Sequence, residues 1–133
     1  MENVLFHVTG RFTRADRIGR VPEGERGNFH FNGDVTGEIN GTLDGCDYAL
    51  ITEGDVYNIH IHELLTTAEG ELISFERTGQ SLPHEEEGFL NTLGKGMART
   101  ASERLAWLNE ADLVWGARIN RATFEYTAWV KKA

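Results

Sequence analysis

Period-two alternation of apolar and polar residues dominates the chain, and it is clearest between Gly54 and Gly79. There Tyr57, Ile59 and Ile61 alternate with Asn58, His60 and His62; a second arm sets Ile73, Phe75 and Arg77 against Leu72, Ser74, Glu76 and Thr78. Side chains two residues apart on a strand share a face, so each arm carries one largely apolar face and one mixed polar face. The arms meet at Ala68-Glu69-Gly70. A two-residue loop would force Glu69 to positive φ, whereas a three-residue loop asks this only of Gly70. The three-residue loop predicts a β-hairpin with Thr67 opposite Glu71, His62 opposite Glu76 and His60 opposite Thr78. Directly opposed residues hold their Cβ atoms roughly 5 Å apart, so an imidazole and a carboxylate face each other across the strands.

Turn signals punctuate the rest of the chain at Pro22-Glu23-Gly24, Asn32-Gly33-Asp34, Asn40-Gly41, Asp44-Gly45 and Glu53-Gly54. Between them, β-rich runs predict strands at Asn3 to Thr13, Phe29 to Thr36, Asp47 to Thr52, Val56 to Thr66, Glu71 to Thr78, Asp112 to Ala117 and Ala122 to Lys131. This spacing predicts an all-β, antiparallel sandwich or barrel in a single domain over residues 1–133. Ser102 to Asn109 reads as a short helix with a serine N-cap and with Leu105 and Leu108 on one side. Gln80 to Gly96, which holds Pro83 and three consecutive glutamates, reads as a long loop, either a solvated surface or a lid.

Composition narrows the partners. With 21 acidic and 13 basic side chains the formal charge is −8, which disfavours nucleic acid and anionic membranes, since both are bound by clustered Lys and Arg. A small molecule or a second protein chain is the easier partner. Cys46 is the only cysteine, so no disulfide framework exists. The start MENVLFHVTGRF has neither a basic stretch nor a long apolar run. The expectation is a cytoplasmic protein.

Gly54 followed after five residues by His60-x-His62 matches the opening of the cupin metal motif, in which strand histidines and a glutamate hold a divalent ion. The expected glutamate near Thr66 or Thr67 and the second cupin motif are missing, although Glu76 and His84 are available as further ligands. Nucleophilic catalysis has little support, because no G-x-S-x-G elbow is present and Cys46 has no base beside it in sequence. No phosphate loop or dinucleotide fingerprint occurs, since the glycines sit in hairpin turns.

The order of several glycine-bounded segments carries a family resemblance. Gly33-Asp34-Val35-Thr36-Gly37-Glu38-Ile39-Asn40-Gly41, Gly45-Cys46-Asp47-Tyr48-Ala49-Leu50-Ile51, Gly70-Glu71-Leu72-Ile73-Ser74-Phe75-Glu76-Arg77-Thr78-Gly79 and Ala106-Trp107-Leu108-Asn109 follow one another as in the family labelled domain of unknown function 3237. Nearly the whole chain resembles it. The resemblance implies a compact antiparallel β-barrel, often oligomeric, without an agreed activity. Where members of that family tend to show Asp-x-Arg on the hairpin strand, this chain has His60-x-His62. The polar positions that match are Asp47 and Asn109, with Trp107 as a neighbour.

Together these readings predict a barrel that binds a small molecule and acts without a cofactor, as an isomerase, cyclase, lyase or hydrolase of a carbonyl-bearing metabolite. Imidazoles titrate near neutral pH, so His60 and His62 would move protons while Glu76 orients them. Asp47, Tyr57, Trp107 and Asn109 would hold the substrate. Two alternatives stand beside this reading: a non-catalytic ligand-binding or homo-oligomeric barrel, and a cupin-like enzyme with His60 and His62 as metal ligands. The aromatic residues Trp115, Trp129, Phe124, Tyr126 and Phe75 read mostly as barrel filling or interface. The catalytic assignment requires that His60, His62 and Glu76 face into the barrel. Periodicity allows the opposite, a solvated polar face over a core of Ile59, Ile61, Leu65, Ile73 and Phe75.

Overall fold

In the computed structural model, which describes residues 3–84 and 86–133, alternation resolves into eight strands. They are β1 (Val4–Val21), β2 (Gly24–Gly37), β3 (Gly41–Thr52), β4 (Val56–Thr67), β5 (Leu72–Ser81), β6 (Phe89–Thr100), β7 (Leu113–Asn120) and β8 (Glu125–Lys132). Each pairs antiparallel with the next, and β8 returns to β1 to close a barrel. Closure pairs both edges of β1 as far as Arg11, which removes most of the template for edge-to-edge aggregation; beyond Arg11 β1 pairs with β2 alone. Among the described residues, no helix is long and apolar enough to cross a membrane.

The hairpin forms in the predicted register: His62 lies opposite Glu76 and His60 opposite Thr78. Gly70 adopts φ 88°, the Gly70 N–H donates to Thr67 O at 2.9 Å, and Thr67 N–H donates to Glu71 O at 2.8 Å. The loop is the three-residue Ala68-Glu69-Gly70 turn.

One half of the barrel is solid. Phe6, Leu65, Ile73, Phe75 and Leu108 are almost fully buried there, each contributing about 1.5–3 kcal/mol of transfer free energy. A 3₁₀ helix at Ala106–Glu110 closes this end and packs on β6. It begins later than the helix expected over Ser102 to Asn109, and Leu105 rather than Ser102 precedes it without a side-chain cap. Ser102 instead donates its hydroxyl to Glu71, which Arg104 also contacts.

Two sequence expectations are corrected. Gln80 to Gly96 is not one long loop: β5 runs to Ser81 and β6 starts at Phe89, and Glu85 lies outside the described residues. The alternation of β6 is inverted, with Thr92 and Ala98 buried while Leu93 and Met97 are exposed. Gly79, on the neighbouring β5, makes room for Trp115: a Cβ there would lie 2.8 Å from its indole. The second correction concerns residues 14–28, which continue β1 and β2 as a paired ribbon. Most of the ribbon meets solvent on both faces, so no apolar period marks it in the sequence.

Candidate functional site

Closure of the barrel decides which hairpin face is internal. Ile59, Ile61 and Phe75 point inward and are buried. His60, His62 and Glu76 therefore project from the outer wall, with side chains 50%, 55% and 45% exposed. The expectation that they face the barrel interior is not met. The physical reason is that the wider apolar face of both arms is the one that gains from leaving water. Trp107 and Asn109 lie at the closed end. Trp107 is exposed, with Lys132 Nζ 4.5 Å from its ring centroid, and Asn109 clamps Thr100 through Nδ2–H to O and N–H to Oδ1, both 2.9 Å. Neither reaches the interior. Asp47 and Tyr57, in contrast, line a cavity of about 530 Å³ in the half of the barrel opposite the 3₁₀ helix.

The cavity exists because the inward residues of that half do not fill it. Phe12, Phe31 and Tyr126 form an aromatic wall with centroid separations of 5.5–5.8 Å, and Trp115 lies across from them, its Nε1–H donating to Thr78 O and Lys95 O at 3.1 Å each. The floor carries charge. Asp47, Ile61 and Arg77 stand in one cross-strand row over β3, β4 and β5, so the backbones bearing the two charged residues are two strand spacings, about 10 Å, apart. Gly96, opposite Arg77 on β6, leaves room for the guanidinium, because a Cβ there would lie 3.2 Å from Arg77 Cγ.

Arg77 and Glu63 form a buried fork. Arg77 Nε and Nη2 donate to the two Glu63 carboxylate oxygens, the latter at 3.1 Å, and the guanidinium carbon sits 4.7 Å from the Trp115 ring centroid. Among the described residues no protein group accepts from Nη1, and Arg77 is one of the residues that line the cavity. Asp47 accepts the His60 backbone N–H at 3.0 Å, and burial pushes its carboxyl up to about 6, against the opposing pull of that hydrogen bond and of Arg77. Thr92 Oγ1 lines the cavity, is buried, and has no partner among the described residues. Tyr126 donates its hydroxyl to Asn32 O at 3.0 Å, and burial raises its phenol further above the ordinary value.

The rim changes the electrostatic picture. Four arginines, Arg14, Arg17, Arg77 and Arg121, line the cavity, and among the described residues Asp47 is its one acidic lining residue. Arg77 is paired with Glu63 and Arg14 with Asp16, which leaves Arg17 and Arg121 as the cations at the cavity without an acidic partner among the described residues, and low-dielectric walls focus their field on entering anions. Cys46 lies on the far side of the wall, 3.8 Å from His30 Nε2. Burial pushes its thiol up, which keeps it protonated and a poor nucleophile.

Glu63, Arg77, Thr92 and Arg121 were not singled out by the sequence. For the first two a signal is present: each interrupts an otherwise apolar strand face, with opposite sign, at diagonal positions of the predicted hairpin register. Thr92 carries no such signal, since β6 lacks a readable period, and neither does Arg121, which lies in the turn between β7 and β8 where no alternation operates.

Comparison with known proteins agrees with this architecture. The model of a family described as "Protein of unknown function (DUF3237)" matches residues 3–131. A conserved protein of unknown function from Rhodopseudomonas palustris is similar in structure, with 19% identity and a TM-score of 0.82 over 98% of this chain and 95% of that one. A β-barrel-like protein from Acinetobacter baumannii gives 17% identity and a TM-score of 0.83, covering 98% and 93%. A protein from Penicillium herquei described as an enzyme gives 15% identity and a TM-score of 0.67, covering 97% and 92%. No curated protein matches the chain.

Proposed function

This chain belongs to the DUF3237 family, proteins of unknown function, and from its site we propose that it binds a planar, anionic carbonyl compound inside the barrel and moves a proton on it. The observation that carries the reading is Asp47, a cavity-facing carboxyl pushed up to about 6, in one row with the cavity-facing Arg77. A general base works best when its own value lies near the working pH. The Asp47 carboxylate takes a proton from the carbon next to the carbonyl, and the charge that develops on the carbonyl oxygen is met by the Arg77 Nη1–H. Preorganised donors of this kind supply the larger share of such catalysis. The Asp47 carboxylic acid then returns the proton, to a different carbon or to oxygen, which makes the net reaction an isomerisation or opens the way to a cyclisation.

The remaining lining residues fit that substrate. Phe12, Phe31, Trp115 and Tyr126 present ring faces and edges to a planar body, Thr92 offers an unused hydroxyl, and the arginines at the mouth draw a carboxylate or enolate inward. The Penicillium herquei neighbour is described as an enzyme, so the barrel architecture admits catalysis. His60, His62 and Glu76 have no part in this scheme.

Phenylpyruvate is a suitable probe, being aromatic, anionic and enolisable, and its keto–enol interconversion is followed by absorbance. The wild-type chain is expected to accelerate that interconversion, and Asp47→Asn to reduce the acceleration about 100-fold or more while still binding the probe. Thr92→Val is expected to weaken binding about five- to tenfold, the worth of one hydrogen bond. Equal rates in wild type and Asp47→Asn, or no acceleration by either, would sink the reading.

A further inference from the structure

We propose that the outer wall of the barrel carries a binding site for a divalent transition-metal ion, formed by His60, His62 and Glu76. The proposal does not depend on the function of the cavity, because these side chains point away from it. Their arrangement follows from strand geometry. His60 and His62 are two apart on β4 and share its outer face, and Glu76 stands directly opposite His62 on β5.

Both imidazoles converge on one carboxylate oxygen. His60 Nε2 lies 3.5 Å and His62 Nε2 3.4 Å from Glu76 Oε1, the ring centroids are 5.0 Å apart, and the three donor atoms all lie within 4.8 Å of one another. An ion held at about 2.0–2.1 Å by tetrahedrally placed nitrogen and oxygen donors has donor-to-donor edges of about 3.4 Å. Two edges already have that length. The third, between the imidazole nitrogens, closes by small rotations of two half-exposed rings whose backbone positions the barrel fixes. A simple ion pair needs one imidazolium for one carboxylate, so it leaves the second converging ring without a task. A shared cation uses all three.

The donor set selects the ion. Two imidazoles and one carboxylate suit Zn²⁺, Ni²⁺ or Cu²⁺, whereas Ca²⁺ and Mg²⁺ require oxygen donors. Three protein ligands leave room for water or a fourth donor. The ion would tie β4 to β5. It would also stiffen the His60 backbone, whose N–H holds Asp47 on the inner face.

Untagged protein stripped with a chelator and desalted, then titrated with Zn²⁺ by calorimetry, tests the site. One equivalent is expected to bind. His60→Gln, His62→Gln and Glu76→Gln are each expected to weaken binding tenfold or more, and Zn²⁺ is expected to raise the thermal midpoint of the wild type but not of the His60→Gln/His62→Gln variant. His30→Gln serves as the control, because His30 with Asp16 and Cys46 forms the neighbouring polar cluster on the same wall. It is expected to bind like wild type. No zinc retained by the wild type after dialysis against micromolar Zn²⁺, equal affinity in the double variant, or loss of binding in His30→Gln would each overturn the proposal. These exposed positions leave the core untouched, and the apo thermal midpoint of each variant verifies folding.

Discussion

Replacing Asp47 by Asn isolates the electrostatics of the cavity, because Asn keeps the oxygen that accepts the His60 N–H at 3.0 Å and removes only the titration. Burial raises the Asp47 carboxyl from 3.8 to about 6. For an acid whose value is raised on folding, the native state binds more protons than the unfolded state between the two values. Stability therefore falls as pH rises through that window, and the loss is complete above the folded value. The difference of about 2 units corresponds to about 3 kcal/mol in full, of which about 2 kcal/mol falls between pH 4 and pH 6. Other groups titrate alike in both proteins and cancel in the comparison. Urea unfolding of wild type and Asp47→Asn at several pH values reads the difference. With a slope of about 1–3 kcal/mol per molar urea, the variant's midpoint should gain roughly 1 M on the wild type between pH 4 and pH 6 and change little above that. A difference that stays constant with pH, or one that moves toward the wild type, would refute the placement of Asp47 in a desolvated cavity.

Two further outcomes are expected. Glu63→Ala leaves the buried Arg77 guanidinium without its fork partner and should cost about 3–5 kcal/mol, while Glu63→Leu combined with Arg77→Met should recover most of it; urea midpoints decide, and a loss below about 1 kcal/mol for Glu63→Ala contradicts the pairing. Asn109→Ala removes two hydrogen bonds to Thr100 and should cost about 1–3 kcal/mol while leaving phenylpyruvate affinity unchanged, since Asn109 lies at the closed end; a change in affinity measured by calorimetry would return Asn109 to the binding site.

The legible parts of this protein were the local ones. The Gly70 turn and the alternation on both arms fix the hairpin register, whereas only the closed barrel brings Asp47 and Tyr57 to one cavity. The illegible parts depended on distant packing. Strand β6 reads as loop because small residues fill its inner face, Gly94 close against the β5 backbone and Gly96 against Arg77, while Leu93 and Met97 lie outside. Trp107 and Asn109 belong to a matching segment, yet the chain carries that segment to the plugged end. Glu63 and Arg77 each look like an error in an apolar face until the barrel brings them together.

The sequence by itself determined that His60, His62 and Glu76 share one face of a hairpin, because period two and turn chemistry act over a few residues. It did not determine which face is inside. Periodicity makes one face the more apolar, but a cavity-forming barrel can turn either face inward, and only closure of eight strands assigns one to the interior. The tertiary structure placed Ile59, Ile61 and Phe75 within, where apolar surface leaves water, and turned the imidazoles and their carboxylate outward. It thereby separated one predicted site into three: an internal cavity with Asp47 and Tyr57, an external cluster of His60, His62 and Glu76, and Trp107 and Asn109 at the closed end.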